Sequence, residues 1–167
     1  MDGKNADVAS QDKESARARN YVWRLIKGRL RSEQEIKQKL NFKKYAPEVI
    51  AKTVSYFKGL DYINDLEFAN RWVNSRLRKP LGLTAIAIEL RQKGISKEII
   101  DQLIKEKKGS IDERAVVQEL AQKYLNKSRG KKELPEKARI KLYGYLLRRG
   151  FSGDIVVELI NKLKAKL

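Results

Sequence analysis

Lysine and arginine are the residues of this chain most able to do chemistry, because histidine and cysteine are absent and the carboxylates are scattered among basic residues. The chain contains 38 basic residues, no histidine and no cysteine. Without histidine it lacks the commonest general acid or base near neutral pH, and without cysteine it can form no disulfide or thiolate metal site. Carboxylates such as Asp65 and Glu67 are two residues apart and point to different sides of a helix. We therefore expect no enzyme activity, no cofactor and no bound metal.

The basic residues are spread over most of the chain rather than collected in a tail. Residues 1–19 hold four basic and four acidic side chains. Basic side chains exceed acidic ones by ten to four in residues 20–63, by ten to six in residues 64–111 and by fourteen to seven in residues 112–167, and the net charge is +17. A folded surface of that sign attracts polyanions, of which nucleic acid is the usual one. A lysine-rich surface that only confers solubility explains this distribution less well.

Twelve basic residues are the candidate binding positions, arranged as a stripe or cluster in each part of the chain. They are Arg24, Lys27 and Arg31 near the first helix, Arg71, Arg78 and Lys79 before Pro80, Arg91 and Lys93 at the end of the next helix, and Lys137, Lys141, Arg148 and Arg149 in the last third of the chain. Gly144 lies among the last group and would allow a backbone to approach closely. Each position alone is typical of a solvated surface charge, but together they predict a basic track that lines a groove.

The elements that carry these residues are helices, because apolar residues recur at helical spacing and no alternating strand pattern is present. One pattern repeats around Leu40, Leu90 and Leu146, which are 50 and 56 residues apart. The second and third copies share a glycine four residues after the leucine, Gly94 and Gly150, as is typical of a helix end. A three-helix unit of about 45 residues has a marginal core alone. We therefore predict an all-α protein of three tandem three-helix units in an elongated, curved array.

Local signals set the predicted boundaries. Ser32 begins a capping-box pattern, Pro47 suits a first helical turn, and Asn64 or Asp65 can cap the helix that follows. The first helix is predicted to begin near Asn20. The predicted organisation is a disordered tail over residues 1–19, three-helix units over residues 20–63, 64–111 and 112–167, and a polar linker from Asn126 to Glu133 within the third unit.

Four aromatic residues lie on apolar helix stripes, namely Trp23, Phe57, Phe68 and Trp72. Stacking on nucleobases is conceivable for such residues, but the spacing favours a role in the core.

The patterns together resemble the RecX family, the bacterial modulators of the RecA recombinase. The resemblance is carried by residues 30–40 and 60–69, by Arg76 to Gly82 and by residues 89–95, and it extends over roughly residues 20 to 160. One departure is Asn64, where the family usually has aspartate; either residue can cap a helix.

This resemblance implies a protein that lies in the helical groove of a RecA filament on single-stranded DNA and inhibits filament growth, ATP hydrolysis and strand exchange. DNA repair, homologous recombination and the SOS response are the implied setting. We expect a cytoplasmic monomer, because no apolar run approaches the roughly 18 residues that cross a bilayer and the first residues do not form a secretory signal. The second hypothesis is a nucleic-acid-binding module that acts without RecA and without sequence specificity. A nuclease that uses carboxylates and a metal is a distant third.

Overall fold

The computed structural model describes residues 3–127 and 135–165, and in this part of the chain the secondary structure is helical throughout, with no β-strand. Its helices are α1 Gly3–Gly28, α2 Glu33–Phe42, α3 Pro47–Gly59, α4 Asp65–Leu77, α5 Leu83–Gln92, α6 Lys97–Lys108, α7 Glu113–Lys127, α8 Glu136–Arg148 and α9 Gly153–Ala165. The predicted all-α class is confirmed. The predicted polar linker from Asn126 to Glu133 lies, from residue 128 onward, outside the described residues.

The first helix is longer than predicted, because α1 begins at Gly3 rather than near Asn20. The structure therefore differs from the disordered segment expected over residues 1–19. From Gln11 to Arg19 most residues are strong helix formers, and Ala18 is fully buried in a core. A buried alanine adds little to the apolar content of a segment, so a prediction based on large apolar side chains overlooked this contact.

The helices fall into two compact bodies, each of which is described by itself. The N-terminal body comprises Met1–Arg71 and Gln92–Ser96, and the C-terminal body comprises Trp72–Arg91 and Lys97–Leu167.

In the N-terminal body, α1 and α2 both pack on α3. Their shared core consists of Ala18, Val22, Ile36, Leu40, Val49, Ile50, Val54, Phe57 and Ile63. Ser32 is the N-cap of α2, since its Oγ accepts a hydrogen bond from the Glu35 amide at 3.1 Å, and Pro47 is the first residue of α3. Asn64 caps α4 through an Oδ1 that accepts from the Glu67 amide at 2.9 Å. Ser32, Pro47 and Asn64 are therefore confirmed as helix-start residues. The Glu35 carboxylate, which would form the second half of the predicted capping box, binds Arg29 and Lys93 instead.

In the C-terminal body, α7, α8 and α9 pack on one another. Their core consists of Val117, Leu120, Ala121, Leu142, Leu146, Phe151, Val156 and Leu159.

Along the middle of the chain, α4, α5 and α6 also bury apolar residues, among them Phe68, Val73, Ile86, Leu90, Ile100 and Leu103.

The backbone reproduces the sequence repeat. Leu40, Leu90 and Leu146 are all fully buried. The residue four positions after each leucine has a left-handed backbone, with φ of 61° at Lys44, 77° at Gly94 and 82° at Gly150. In the first and third copies the amide five positions after the leucine donates to its carbonyl, at 3.3 Å and 3.4 Å respectively. Each repeated motif therefore ends its helix by the same left-handed turn.

Candidate nucleic-acid interface

Arg31 and Lys93 are predicted basic residues that have a structural partner in the N-terminal body. Arg31 was expected to continue the α1 stripe of Arg24 and Lys27, but α1 ends at Gly28. The Arg31 Nε instead donates to the Leu25 carbonyl at 3.1 Å, which satisfies a carbonyl that the end of the helix leaves free. The predicted three-residue stripe is therefore wrong at Arg31, whereas the Arg24 and Lys27 side chains are exposed.

Lys93 is the second of these residues, and its partner is Glu35. The Lys93 Nζ lies 2.8 Å from a Glu35 oxygen, and the Arg29 guanidinium donates to both oxygens of the same carboxylate at 3.1 Å. Burial opposes ionisation of Glu35, but the hydrogen bonds from Arg29 and Lys93 outweigh it and lower the pKa of that carboxyl to about 2. Lys93 therefore has a clear structural function in the N-terminal body.

The turn that contains Lys93 packs on the start of α2. The Ser32 Oγ donates to the Lys93 carbonyl at 2.7 Å while it caps α2. A Cβ at Gly94 would lie 2.3 Å from the Gln34 Cβ, so only glycine fits between the two segments. Asp65 contributes from a third segment, because its carboxylate accepts from the Glu33 amide at 2.8 Å. Burial raises the pKa of Asp65, which makes its charge costly there.

The C-terminal body contains an equivalent contact, between the segment before α5 and the turn that joins α8 to α9. The Gly82 amide donates to the Arg149 carbonyl at 2.9 Å, and the Thr84 amide donates to the Gly150 carbonyl at 3.2 Å. A Cβ at Gly82 would lie 2.1 Å from the Gly150 oxygen, and one at Gly150 would lie 2.3 Å from the Ala85 amide nitrogen. Glycine is therefore required on both sides of this contact.

This contact brings together two groups of basic residues that the sequence indicated separately. The Arg149 Nη1 donates to the Pro80 carbonyl at 3.2 Å, so the α8–α9 turn lies against the residues that follow Arg78 and Lys79. The Arg149 guanidinium also lies over the Tyr145 ring, 5.0 Å from its centroid. We call Arg78, Lys79, Arg148 and Arg149 the cationic junction.

The cationic junction has little internal neutralisation. Arg78, Lys79 and Arg148 are exposed, and none of them forms an ion pair within the described residues. The Glu113 carboxylate lies at the start of α5, where it accepts from the Leu83 amide at 2.8 Å. That bond satisfies one of the free amides of a helix N-terminus. The junction can therefore bind an anion without first breaking a salt bridge.

The remaining candidates are divided between exposed and paired side chains. Lys137 and Lys141 are exposed on α8, and Arg91 is exposed on α5. Arg71 pairs with Glu67, one turn earlier on α4, at 2.7 Å. Gly144 does not leave an open approach for a backbone, because the Arg148 Nη1 would lie 3.2 Å from a Cβ there. The glycine gives the Arg148 side chain room to lie along α8.

The aromatic residues differ from the prediction at one position. Phe57 and Phe68 are buried, as expected. Trp72 is half-buried, and its Nε1 donates to Glu89 at 2.8 Å. Trp23, however, is 38% exposed, so the core role predicted for it is wrong. Val22 lies on the buried face of α1, and the next residue, Trp23, therefore lies at the edge of that face.

Neither a metal site nor a membrane-spanning segment emerges from the described residues. Within residues 3–127 and 135–165, no three or more metal-ligating side chains come together. Nor do the helices of this part of the chain include one with the length and apolar character needed to cross a bilayer.

These features define a class of protein: a helical chain with repeated left-handed turns, glycine-dependent contacts and an unneutralised basic surface. Profiles of the RecX first, second and third three-helix domains match residues 18–57, 64–104 and 112–160. The chain belongs to the RecX family of regulatory proteins and contains its three three-helix domains.

Individual relatives agree with this assignment. The chain is 30% identical to a regulatory protein RecX of Clostridium botulinum over 97% of this chain and 76% of that protein. It is 32% identical to the regulatory protein RecX of Haemophilus influenzae strain PittEE over 89% of this chain and 95% of that protein. The crystal structure of RecX from Lactobacillus salivarius has a TM-score of 0.78 at 23% identity and covers 92% of this chain and 99% of that one. A further RecX crystal structure has a TM-score of 0.82 at 23% identity, covering 97% of this chain and 78% of that one.

Proposed function

We propose that this protein binds the RecA filament on single-stranded DNA in its helical groove and inhibits filament growth, ATP hydrolysis and strand exchange. Its membership of the RecX family is the observation that carries this proposal. The proposed protein is a cytoplasmic monomer without catalytic activity, and it acts in DNA repair, homologous recombination and the SOS response. The organisation proposed for it is three three-helix units over residues 20–63, 64–111 and 112–167.

The proposed mechanism is bridging. Successive three-helix units would contact neighbouring RecA protomers, so the bound chain would distort or cap the filament. The cationic junction supports this mechanism because the exposed side chains of Arg78, Lys79 and Arg148 suit DNA phosphates or acidic RecA side chains. Lys137 and Lys141 would extend the contact along α8, and Arg24, Lys27 and Arg91 are further contact candidates. Arg31, Arg71, Lys93 and Arg149 would contribute mainly by holding the backbone or a neighbouring carboxylate in place.

Inhibition of RecA-driven ATP hydrolysis on single-stranded DNA tests the function. We expect sub-stoichiometric protein to slow hydrolysis. If excess protein leaves both hydrolysis and strand exchange unchanged, the proposed function is wrong.

A paired set of variants tests the site. The double variant Arg78→Ala with Lys79→Ala removes two unpaired charges and should weaken inhibition. The matched control is Arg114→Ala with Lys162→Ala, which removes the same charge from the same body. These two side chains already pair with Glu158, at 3.1 Å and 2.7 Å. Equal loss in the two double variants would show that net charge, not the cationic junction, determines inhibition.

The second candidate function is binding to nucleic acid itself, without RecA, and the net charge of +17 favours it. It predicts an affinity for single-stranded DNA that falls steeply with salt as counterions are released. The slope of log affinity against log salt is negative, and each lost phosphate contact makes it less steep by about 0.7 on a single strand. The Arg78→Ala and Lys79→Ala pair would then make the slope less steep by roughly 1.4. Salt titrations with and without RecA separate the two functions.

A further inference from the structure

An exposed aromatic surface in the N-terminal body has no role in the contacts described so far. We call Trp23, Tyr56, Leu60 and Tyr62 the aromatic patch; their exposed fractions are 38%, 49%, 50% and 46%. Large apolar side chains exposed together on a strongly charged protein indicate a binding surface.

Buried Phe57 holds the rings of this patch in place. Phe57 is 3% exposed, and the Trp23 ring lies nearly parallel to it, with centroids 6.3 Å apart. The Tyr56 ring meets Phe57 edge to face at 5.3 Å, and the Tyr62 ring meets Trp23 edge to face at 5.1 Å. Rings fixed in this way lose little conformational freedom when a ligand binds.

Cationic side chains border the aromatic patch. The Arg19 guanidinium lies over the Tyr56 ring, 5.4 Å from its centroid, and the Lys27 Nζ is 5.9 Å from the Trp23 centroid. The hollow at the patch is lined by Arg19, Asn20, Trp23, Tyr56, Phe57, Leu60 and Tyr62. No carboxylate is among these residues. The matching ligand therefore has flat apolar groups joined by negative charge.

We propose that the aromatic patch binds single-stranded nucleic acid. Phosphates would draw the exposed Arg19 and Lys27 side chains away from the Tyr56 and Trp23 rings, and unpaired bases would then stack on Trp23, Tyr56 and Tyr62. Every base has a face that stacks on an aromatic ring, so such a surface binds without sequence preference. Because the tyrosines meet their neighbours edge to face, the ring faces of the patch point in different directions. Such a surface suits splayed bases, whereas a helix of a protein partner would need a continuous aliphatic groove. This site goes beyond both candidate functions because it assigns unpaired bases to named aromatic residues, whereas the second candidate rests on net charge alone.

The experiment compares two labelled oligomers with the intact chain in the absence of RecA. One is a single-stranded oligodeoxythymidylate, and the other is an abasic phosphodiester of the same length and charge. We expect the protein to bind the oligodeoxythymidylate more tightly, by about tenfold or more, because only that oligomer can stack. Equal affinity for the two would overturn the proposal, since charge alone would then explain binding.

Variants assign this preference to the patch. Trp23→Ala should reduce affinity for the oligodeoxythymidylate by about tenfold with little effect on the abasic oligomer, whereas Trp23→Phe should retain most of it. Phe42→Ala is the matched control, because Phe42 is an aromatic residue of the same body that is 82% exposed outside the patch. An equal loss in Phe42→Ala, or a Trp23→Ala loss that is the same for both oligomers, would refute stacking at this site.

A spectroscopic readout does not depend on the Trp23→Ala variant folding correctly. The chain has two tryptophans, so Trp72→Phe leaves Trp23 as the sole one. Stacked thymine should then quench its fluorescence in proportion to binding, and an unchanged signal at saturation would contradict the proposal. If an acidic amphipathic peptide binds more tightly and displaces the oligomer, the proposed nucleic-acid ligand is wrong and a protein partner is favoured. Either failure leaves inhibition of RecA hydrolysis by the wild-type chain intact, so the two proposals fail separately.

Discussion

Replacing Gly150 by alanine should disrupt the contact between the α8–α9 turn and the segment before α5. Gly150 has φ of 82°, in the left-handed region, and its carbonyl accepts from the Thr84 amide. A Cβ at this position would lie 2.3 Å from both the Ala85 amide nitrogen and the Ala85 Cβ. Since part of this collision is with backbone, a change of rotamer cannot relieve it.

The expected cost follows from two opposing sets of effects. A left-handed backbone costs an L-residue roughly 1–2 kcal/mol, and overpacking a close contact costs about 1–3 kcal/mol more. Alanine offsets about 0.4–1 kcal/mol of this, because it has less conformational freedom than glycine in the unfolded chain. The net destabilisation of the C-terminal body should be about 1–5 kcal/mol, with a central value of about 3 kcal/mol.

Urea unfolding followed by tryptophan fluorescence measures this effect. In a Trp23→Phe background, Trp72 is the sole tryptophan and reports on the body to which it belongs. With a slope of about 2 kcal/mol per molar urea, a loss of about 3 kcal/mol lowers the midpoint by about 1.5 M. Gly153→Ala is the control, because Gly153 is the first residue of α9 and a Cβ added there would have no neighbouring atom within 4 Å. A Gly150→Ala midpoint equal to that of Gly153→Ala would show that the contact does not stabilise the protein.

Three further predictions concern the N-terminal body, for which Trp72→Phe leaves Trp23 as the fluorescent reporter in the same body. Lys44→Gly should raise its stability by about 0.5–1 kcal/mol in urea unfolding followed by Trp23 fluorescence, because glycine relieves the left-handed strain at φ of 61°; no gain would mean that the Lys44 side chain stabilises the turn. Ser32→Ala should cost about 1–3 kcal/mol, because it removes the α2 cap and the bond to the Lys93 carbonyl, whereas Ser55→Ala at an exposed position of α3 should be nearly neutral. Glu35 has a pKa lowered to about 2 from 4.5, so its stabilisation is present above pH 4.5 and is lost as the pH falls through about 2. The Glu35 side chain is 13% exposed. After allowance for screening by solvent, Glu35→Gln should cost about 1–2 kcal/mol of stability at neutral pH and flatten the acid-unfolding profile. Identical acid-unfolding profiles for the wild type and Glu35→Gln would refute this.

The sequence was sufficient for the features that depend on near neighbours. Ser32, Pro47 and Asn64 each act within one helical turn, so their roles follow from residue type and position. The repeated leucines were found for the same reason, because an amphipathic period is local. The glycines at positions 94 and 150 were correctly placed at helix ends.

Other features depend on residues far apart in the chain, and local patterns do not contain them. No local pattern indicates that Gly82 meets Gly150, or that Arg149 reaches the Pro80 carbonyl, because the segments are joined only in the folded C-terminal body. Both groups of the cationic junction were identified, but not their proximity. The exposure of Trp23 was missed because a helical wheel shows only which residues are adjacent to an apolar stripe, not how far the partner helix covers it.

The side chain of Lys44 would obstruct the docking of an additional repeat on the turn that follows α2. In the turns at Gly94 and Gly150 a neighbouring segment occupies the space that a Cβ would need, whereas the exposed Lys44 retains a full side chain at the equivalent place. A designer who wished to dock an additional repeat on this turn, in the manner seen at the other two, would first have to mutate Lys44 to glycine.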